Sequence, residues 1–183
     1  SVTCRDSLNR FLGSGETALK GIVATFTAAL TPFANPVIDK ATSGNDFWRL
    51  LGLSGLAPRS WGPEHEERLP ELGLGMTDLV RHRGAGEAAD RYEVAELLAR
   101  VERWSPDWLA FTSKTVAAVV ARHLGEPRPL LGPADWMVGP AQVFCLPGSS
   151  GANRRRDYDG RPDRLSWWIT LAEVAGSGSP SGR

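Results

Sequence analysis

The segment Leu146-Pro147-Gly148-Ser149-Ser150-Gly151-Ala152-Asn153-Arg154-Arg155-Arg156 concentrates residue types that can grip a phosphate. The apolar run before it, Gln142–Leu146, reads as a short buried strand. Pro147 and Gly148 break that run, and two serines, a second glycine and three consecutive arginines follow. A glycine-containing turn lets backbone N–H groups approach an anion closely, and the arginines add a block of positive charge. A strand ending in such a loop suits a sugar-phosphate backbone. A solvated basic turn is the other reading these eleven residues allow.

Fewer residues elsewhere could do chemistry. Leu74–Val80 reads as a strand carrying Thr77 and Asp78 near its end. A carboxylate placed there can position a water molecule, or it can simply cap a turn. Thr77 and Thr27 can offer hydroxyl or backbone N–H groups to carbonyl oxygens, or pack at strand ends. Lys114 opens an apolar helix, where its charge would add to the helix dipole in holding a phosphate. A surface lysine fits the position equally well. His65, His82 and His123 show no metal-ligand spacing, among themselves or with Cys4 and Cys145. Two cysteines are too few for a disulfide scaffold or a four-cysteine cluster. Cys145, inside a strand, reads as an inert core thiol. Trp136, Trp167 and Trp168 fall on helical or loop segments and are expected to pack.

These groups need a scaffold, and the chain supplies one. Its 183 residues make one domain, large enough to bury a core. Lys+Arg and Asp+Glu are equal at 21 each, so any nucleic-acid contact must come from a local patch. No apolar run reaches the length of a membrane span, and no long apolar segment follows a basic start, which points to a cytoplasmic protein with no membrane partner. Apolar β-rich runs at Ile22–Leu30, Leu74–Val80, Asp107–Thr112 and Gln142–Leu146 predict four strands. Helices are expected from Gly44 with Ser43 or Asn45 as cap, from Pro63, over Tyr92–Trp104, over Lys114–Leu124 and from about Pro162 onward. Arg83–Asp90 reads as a mobile loop, and Gly176–Arg183 as a disordered tail. Short apolar strands alternating with helices predict a parallel sheet covered on both faces. Its ligands would lie beyond the carboxyl ends of the strands, where Thr27–Leu30, Thr77-Asp78, Thr112–Lys114 and Gly148–Asn153 converge.

Four ordered motifs add a family resemblance. Gly44-Asn45-Asp46-Phe47-Trp48, Gly73-Leu74-Gly75-Met76-Thr77-Asp78, Phe111-Thr112-Ser113-Lys114 and Leu146-Pro147-Gly148-Ser149-Ser150-Gly151-Ala152-Asn153 resemble, in order and spacing, the mismatch-specific uracil/thymine DNA glycosylases of the uracil-DNA glycosylase superfamily. The resemblance covers about 44–174. It implies an α/β fold, a three-layer α/β/α sandwich around a four-stranded parallel sheet. It also implies a monofunctional enzyme that removes uracil or related bases from DNA without a metal or cofactor, with no Schiff-base lysine. The first 43 residues match less well. Relatives carry a Gly-x-Asn-Pro-Gly or Gly-Thr-Ala-x-Gly loop after the first strand. Here Phe26-Thr27-Ala28-Ala29-Leu30 stands there, with Ala28 in place of the catalytic Asn and Lys40 in place of a base-stacking aromatic.

On that resemblance the nucleotide flips out of the duplex before its glycosidic bond breaks. Asp78 and Thr77 are the candidate catalytic residues. Thr27, Ala28, Ala29, Asn45 and Phe47 are candidates for the base pocket, although Asn45 also suits an N-cap and Phe47 the core. Lys114, Gly148, Ser149, Ser150, Gly151, Asn153, Arg154, Arg155 and Arg156 are candidates for DNA binding, with Ala152, Asn153 or Arg154 filling the vacated stack. The partner would be DNA containing uracil, a mismatch or an abasic site, bound by a monomer. Two other classes stay open: a binder of abasic or damaged DNA that cleaves poorly, and an α/β domain for a phosphorylated small molecule.

Overall fold

A computed structural model describes residues 22–26, 46–79, 94–150 and 157–177, with the backbone alone at 22–26, 78 and 177. In chain order the elements are β1 (Ile22–Phe26), α1 (Phe47–Leu53), a 3-10 helix (Pro63–Leu72), β2 (Leu74–Asp78), α2 (Val94–Trp104), β3 (Trp108–Phe111), α3 (Lys114–Leu124), β4 (Gly132–Val138), β5 (Ala141–Cys145) and α4 (Leu165–Ser177). Among the described residues they form one five-stranded sheet in the order β2-β1-β3-β5-β4.

The sheet corrects the expectation of four parallel strands. β2, β1, β3 and β5 are parallel, and these are the four runs read from the sequence. β4 adds a fifth strand, antiparallel to β5 at the edge, so the sheet is mixed. Its turn is Gly139-Pro140, between the paired residues Val138 and Ala141. Gly139 has φ 52°, the sign a type II′ hairpin requires of its first central residue. Trp136 therefore sits on a strand rather than on a helix or loop, 5% exposed.

The helices lie on both faces. Along a strand successive side chains alternate between faces. Thr77 turns toward α2, where its hydroxyl accepts a bond from Arg100 Nη1 at 3.1 Å. Leu74 and Met76, together with Ala110 of β3, line a small apolar gap with Phe47 and Leu51 of α1 and Trp168 of α4. So α1 and α4 cover one face and α2 the other. The right-handed crossover rule places α3 with α2, since both connections step in the same direction along the sheet. Each helix buries one stripe, as Val94, Leu97, Val101 and Trp104 do on α2. α3 spans Lys114–Leu124 as its sequence predicts, and it ends on Gly125 at φ 76°. α4 begins at Leu165 and runs through Ser177, two residues into the segment read as an unstructured tail.

Candidate nucleic-acid interface

The carboxyl ends of the four parallel strands form one edge. Phe26 is level with Asp78, Thr25 with Phe111, and Phe111 with Cys145. Leu146 extends the last pairing through its N–H to the Phe111 carbonyl at 2.7 Å. The chain steps from β1 to β2 one way along the sheet and from β3 to β5 the other way. The segments leaving β1 and β3 thus part toward opposite faces, the switch point where open α/β sheets hold ligands.

Two of the recognised motifs meet at this edge. The Asp46 N–H donates to the Ser149 carbonyl at 2.9 Å, which fastens the start of α1 to the loop after β5. Arg164, just before α4, completes the clasp. Its Nη1 donates to the carbonyls of Ser150 at 2.7 Å and Gly148 at 3.3 Å, and its Nη2 donates to Asp46 Oδ2. Asp46 also accepts from Arg49 Nε at 3.1 Å and Arg49 Nη2 at 2.9 Å. Asp46 occupies the capping position of α1, in place of Ser43 or Asn45, yet its side chain makes no capping bond. Its carboxylate is given to the two arginines instead.

The electrostatics follow. The hydrogen bond from Arg49 holds the Asp46 carboxyl below its ordinary value; burial opposes this, and the charges of Arg164 and Arg49 reinforce it. A carboxylate whose oxygens are committed to two guanidinium groups is a poor proton acceptor for water, so Asp46 organises the edge and does not serve as a base. Because its folded-state pKa lies below the unfolded value, the clasp stabilises the fold at pH above the ordinary Asp range, about 4, and that contribution disappears as pH falls through the folded value. Acid unfolding followed by tryptophan fluorescence should therefore begin at a higher pH in the wild type than in D46N at matched neutral stability, because only the wild type has this contribution to lose. Identical acid limbs would count against the clasp.

The other expected site residues divide. Lys114 is at the edge, as the first residue of α3, but its Nζ is 2.8 Å from Asp159 Oδ2. The same oxygen accepts from the Leu131 N–H at 3.0 Å, tying α3 to the start of β4. Thr77 is 2% exposed with its hydroxyl bound by Arg100, so it faces α2 rather than open edge. Phe47 is 3% exposed, edge-on to Trp48 and Trp168, and belongs to the core. Gly148, Ser149 and Ser150 lie in the clasped loop. The backbone of Asp78 ends β2 at the edge. Thr27, Ala28, Ala29, Asn45, Gly151, Ala152, Asn153, Arg154, Arg155 and Arg156 lie outside the described residues. Cys145 is fully buried and unpaired, and burial pushes its thiol up to about 12, as an inert core thiol requires.

Sequence reasoning did not single out Asp46, Arg164 or Asp159. Asp46 carried one local signal, an acid three residues before Arg49 at a helix start. Arg164 carried none, because its partner is 118 positions away.

No protein-family model matches the chain. Fold and edge together define an α/β protein with a mixed sheet, whose candidate site lies beyond the carboxyl ends of its parallel strands. Among the described residues no helix is long and apolar enough to cross a membrane.

Proposed function

We propose that this chain is a DNA-repair glycosylase that excises uracil or a related deaminated or mismatched base by hydrolysing the N-glycosidic bond after base flipping. The observation that carries the reading is the clasp. Two motifs of the glycosylase resemblance, Asn45-Asp46-Phe47-Trp48 and Leu146-Pro147-Gly148-Ser149-Ser150, are joined at the sheet edge where β2 delivers Asp78. In this mechanism the C1′–N bond breaks with its electron pair passing to the base, which leaves as an anion. Water adds to C1′ and loses a proton. Asp78 positions that water and receives the proton, while donors near the base stabilise the departing charge. With the Thr77 hydroxyl committed to Arg100, Asp78 carries the catalytic role. The enzyme acts as a cytoplasmic monomer and uses no cofactor.

The test is single-turnover excision from a uracil-containing duplex, read as alkali-labile strand scission. The wild type should cleave. D78N should slow the step by roughly a hundredfold while affinity for an abasic duplex stays near wild type. An unaltered rate would leave Asp78 a turn-capping residue. Ala28, standing where relatives have the catalytic Asn, favours a second reading: a binder of abasic or damaged DNA that cleaves poorly. Tight abasic binding by a wild type that leaves uracil intact would select it.

In either reading Arg154, Arg155 and Arg156 supply the local charge on a neutral protein. Replacing all three with alanine should lower the slope of log affinity against log salt by about 2–3, close to 0.9 for each phosphate no longer neutralised. A slope equal to wild type would remove these arginines from the interface.

A further inference from the structure

The loop after β5 has three consecutive carbonyls, those of Gly148, Ser149 and Ser150, and all three are held by donors from the α1 and α4 side. Two go to Arg164 and one to the Asp46 N–H. In a trans peptide the N–H points opposite its own C=O. Capturing the Gly148 and Ser149 carbonyls therefore turns the amide groups of Ser149 and Ser150 the other way, away from α1 and α4. The capture also directs the negative ends of these peptide dipoles inward, where a guanidinium compensates them.

We propose that Arg164 is the positioning residue of this loop: by holding two of its carbonyls and the Asp46 carboxylate, it fixes the loop in the form that receives a phosphodiester. The ligand in this proposal rests on the DNA-glycosylase reading above, while the loop geometry does not. Arg164 is suited to the task by its planar fork, whose two terminal nitrogens serve three acceptors in different directions. A lysine ammonium on its single stem cannot span them. Arg164 is not itself the phosphate contact, because its side chain is 13% exposed and Asp46 compensates its charge. The exposed member of the cluster is Arg49, at 58%.

Positioning and direct contact give different salt dependences. A residue that neutralises a phosphate removes about 0.9 from the slope of log affinity against log salt when it is replaced, whereas a residue that shapes the loop lowers affinity and leaves the slope alone. The experiment titrates the full-length chain against a fluorescent duplex carrying a stable abasic analogue, at several potassium chloride concentrations, for wild type, R164M, R164K and D46N. R164M should bind at least about tenfold more weakly with an unchanged slope, and R164K should recover little of the loss. Hydrogen exchange of the DNA-free proteins should be faster across 146–150 in R164M and unaltered across β5. A slope reduced by about 0.9 would show that Arg164 touches phosphate and overturn the proposal, as would wild-type affinity or full rescue by lysine. If R164M does not fold, R164K and D46N, which loosen the same clasp while keeping polar groups in place, decide the matter. A wild type that binds abasic and intact duplexes equally would defeat the glycosylase reading alone. The exchange comparison would then still decide whether Arg164 positions the loop.

Discussion

Gly132→Ala should destabilise the protein by about 3–5 kcal/mol and lower its thermal midpoint by roughly 6–20 °C. Two effects add. Gly132 has φ 101°, a backbone conformation that costs an L side chain on the order of 1–3 kcal/mol. A methyl group there would also meet Trp167 Cζ3 at 2.6 Å, closer than real carbons approach. The indole cannot easily give way. Its Nε1–H donates to the Tyr158 carbonyl at 2.8 Å, and the Arg161 guanidinium lies over its ring at 3.8 Å. Gly125→Ala is the control. It too has positive φ, at 76°, but nothing lies within 4 Å of the added carbon, so it should cost only about 1 kcal/mol. Equal losses in urea denaturation of the two variants would refute the contact with Trp167.

Trp168→Ala should cost about 3–5 kcal/mol, at the upper end of that range. Trp168 is 1% exposed, and its ring meets Phe47 at 5.5 Å in an edge-on arrangement. It also borders the apolar gap beneath α1, so truncation would enlarge an existing void between packed elements. Surroundings that already leave space cannot collapse to fill more of it. The loss should reach the candidate site, because Phe47 is the residue after Asp46, and α1 and α4 together carry the clasp. Trp168→Phe keeps most of the ring volume and should cost less than about 1.5 kcal/mol. Chemical denaturation separates the two. A Trp168→Ala variant as stable as Trp168→Phe would mean that this corner is not packed as described.

The legible part of the fold was the part written in local pattern. Each of the four parallel strands is a short apolar run, and β-strand chemistry at that length needs no distant partner to be recognised. α3 was legible to the residue because Ser-Lys opens it and glycine closes it. β4 was not, since Gly132-Pro133 reads as a loop opening and its Asp135-Trp136-Met137 alternation is short. The Gly139-Pro140 pair was the available signal for its hairpin. At the site, the sequence identified the two motif loops but not the reason they meet. Asp46 was overshadowed by Asn45, and the partner that matters is an arginine with no periodicity to mark it. Thr77 shows the converse limit. Its place at a strand end was readable, but the face its hydroxyl takes is set by Arg100 on a helix that follows.

The edge strand has a meaning for the protein's behaviour in a crowded solution. An open sheet edge is a template onto which another chain can add, repeating the ladder without end. β4 presents that template badly. Pro133 has no N–H to offer a neighbour, and the pairing with β5 shifts between Pro133 and Met137, so the spacing that a docking strand would copy is interrupted. This matters because Met137 and Leu130 leave apolar surface at 51% and 71% exposure on or beside the same strand. Sticky side chains there stand beside a backbone that refuses to propagate order. The sheet edge is therefore a poor template on this side by its own sequence, and a variant that straightened β4 by replacing Pro133 would make it a better one, raising the tendency of chains to add to it.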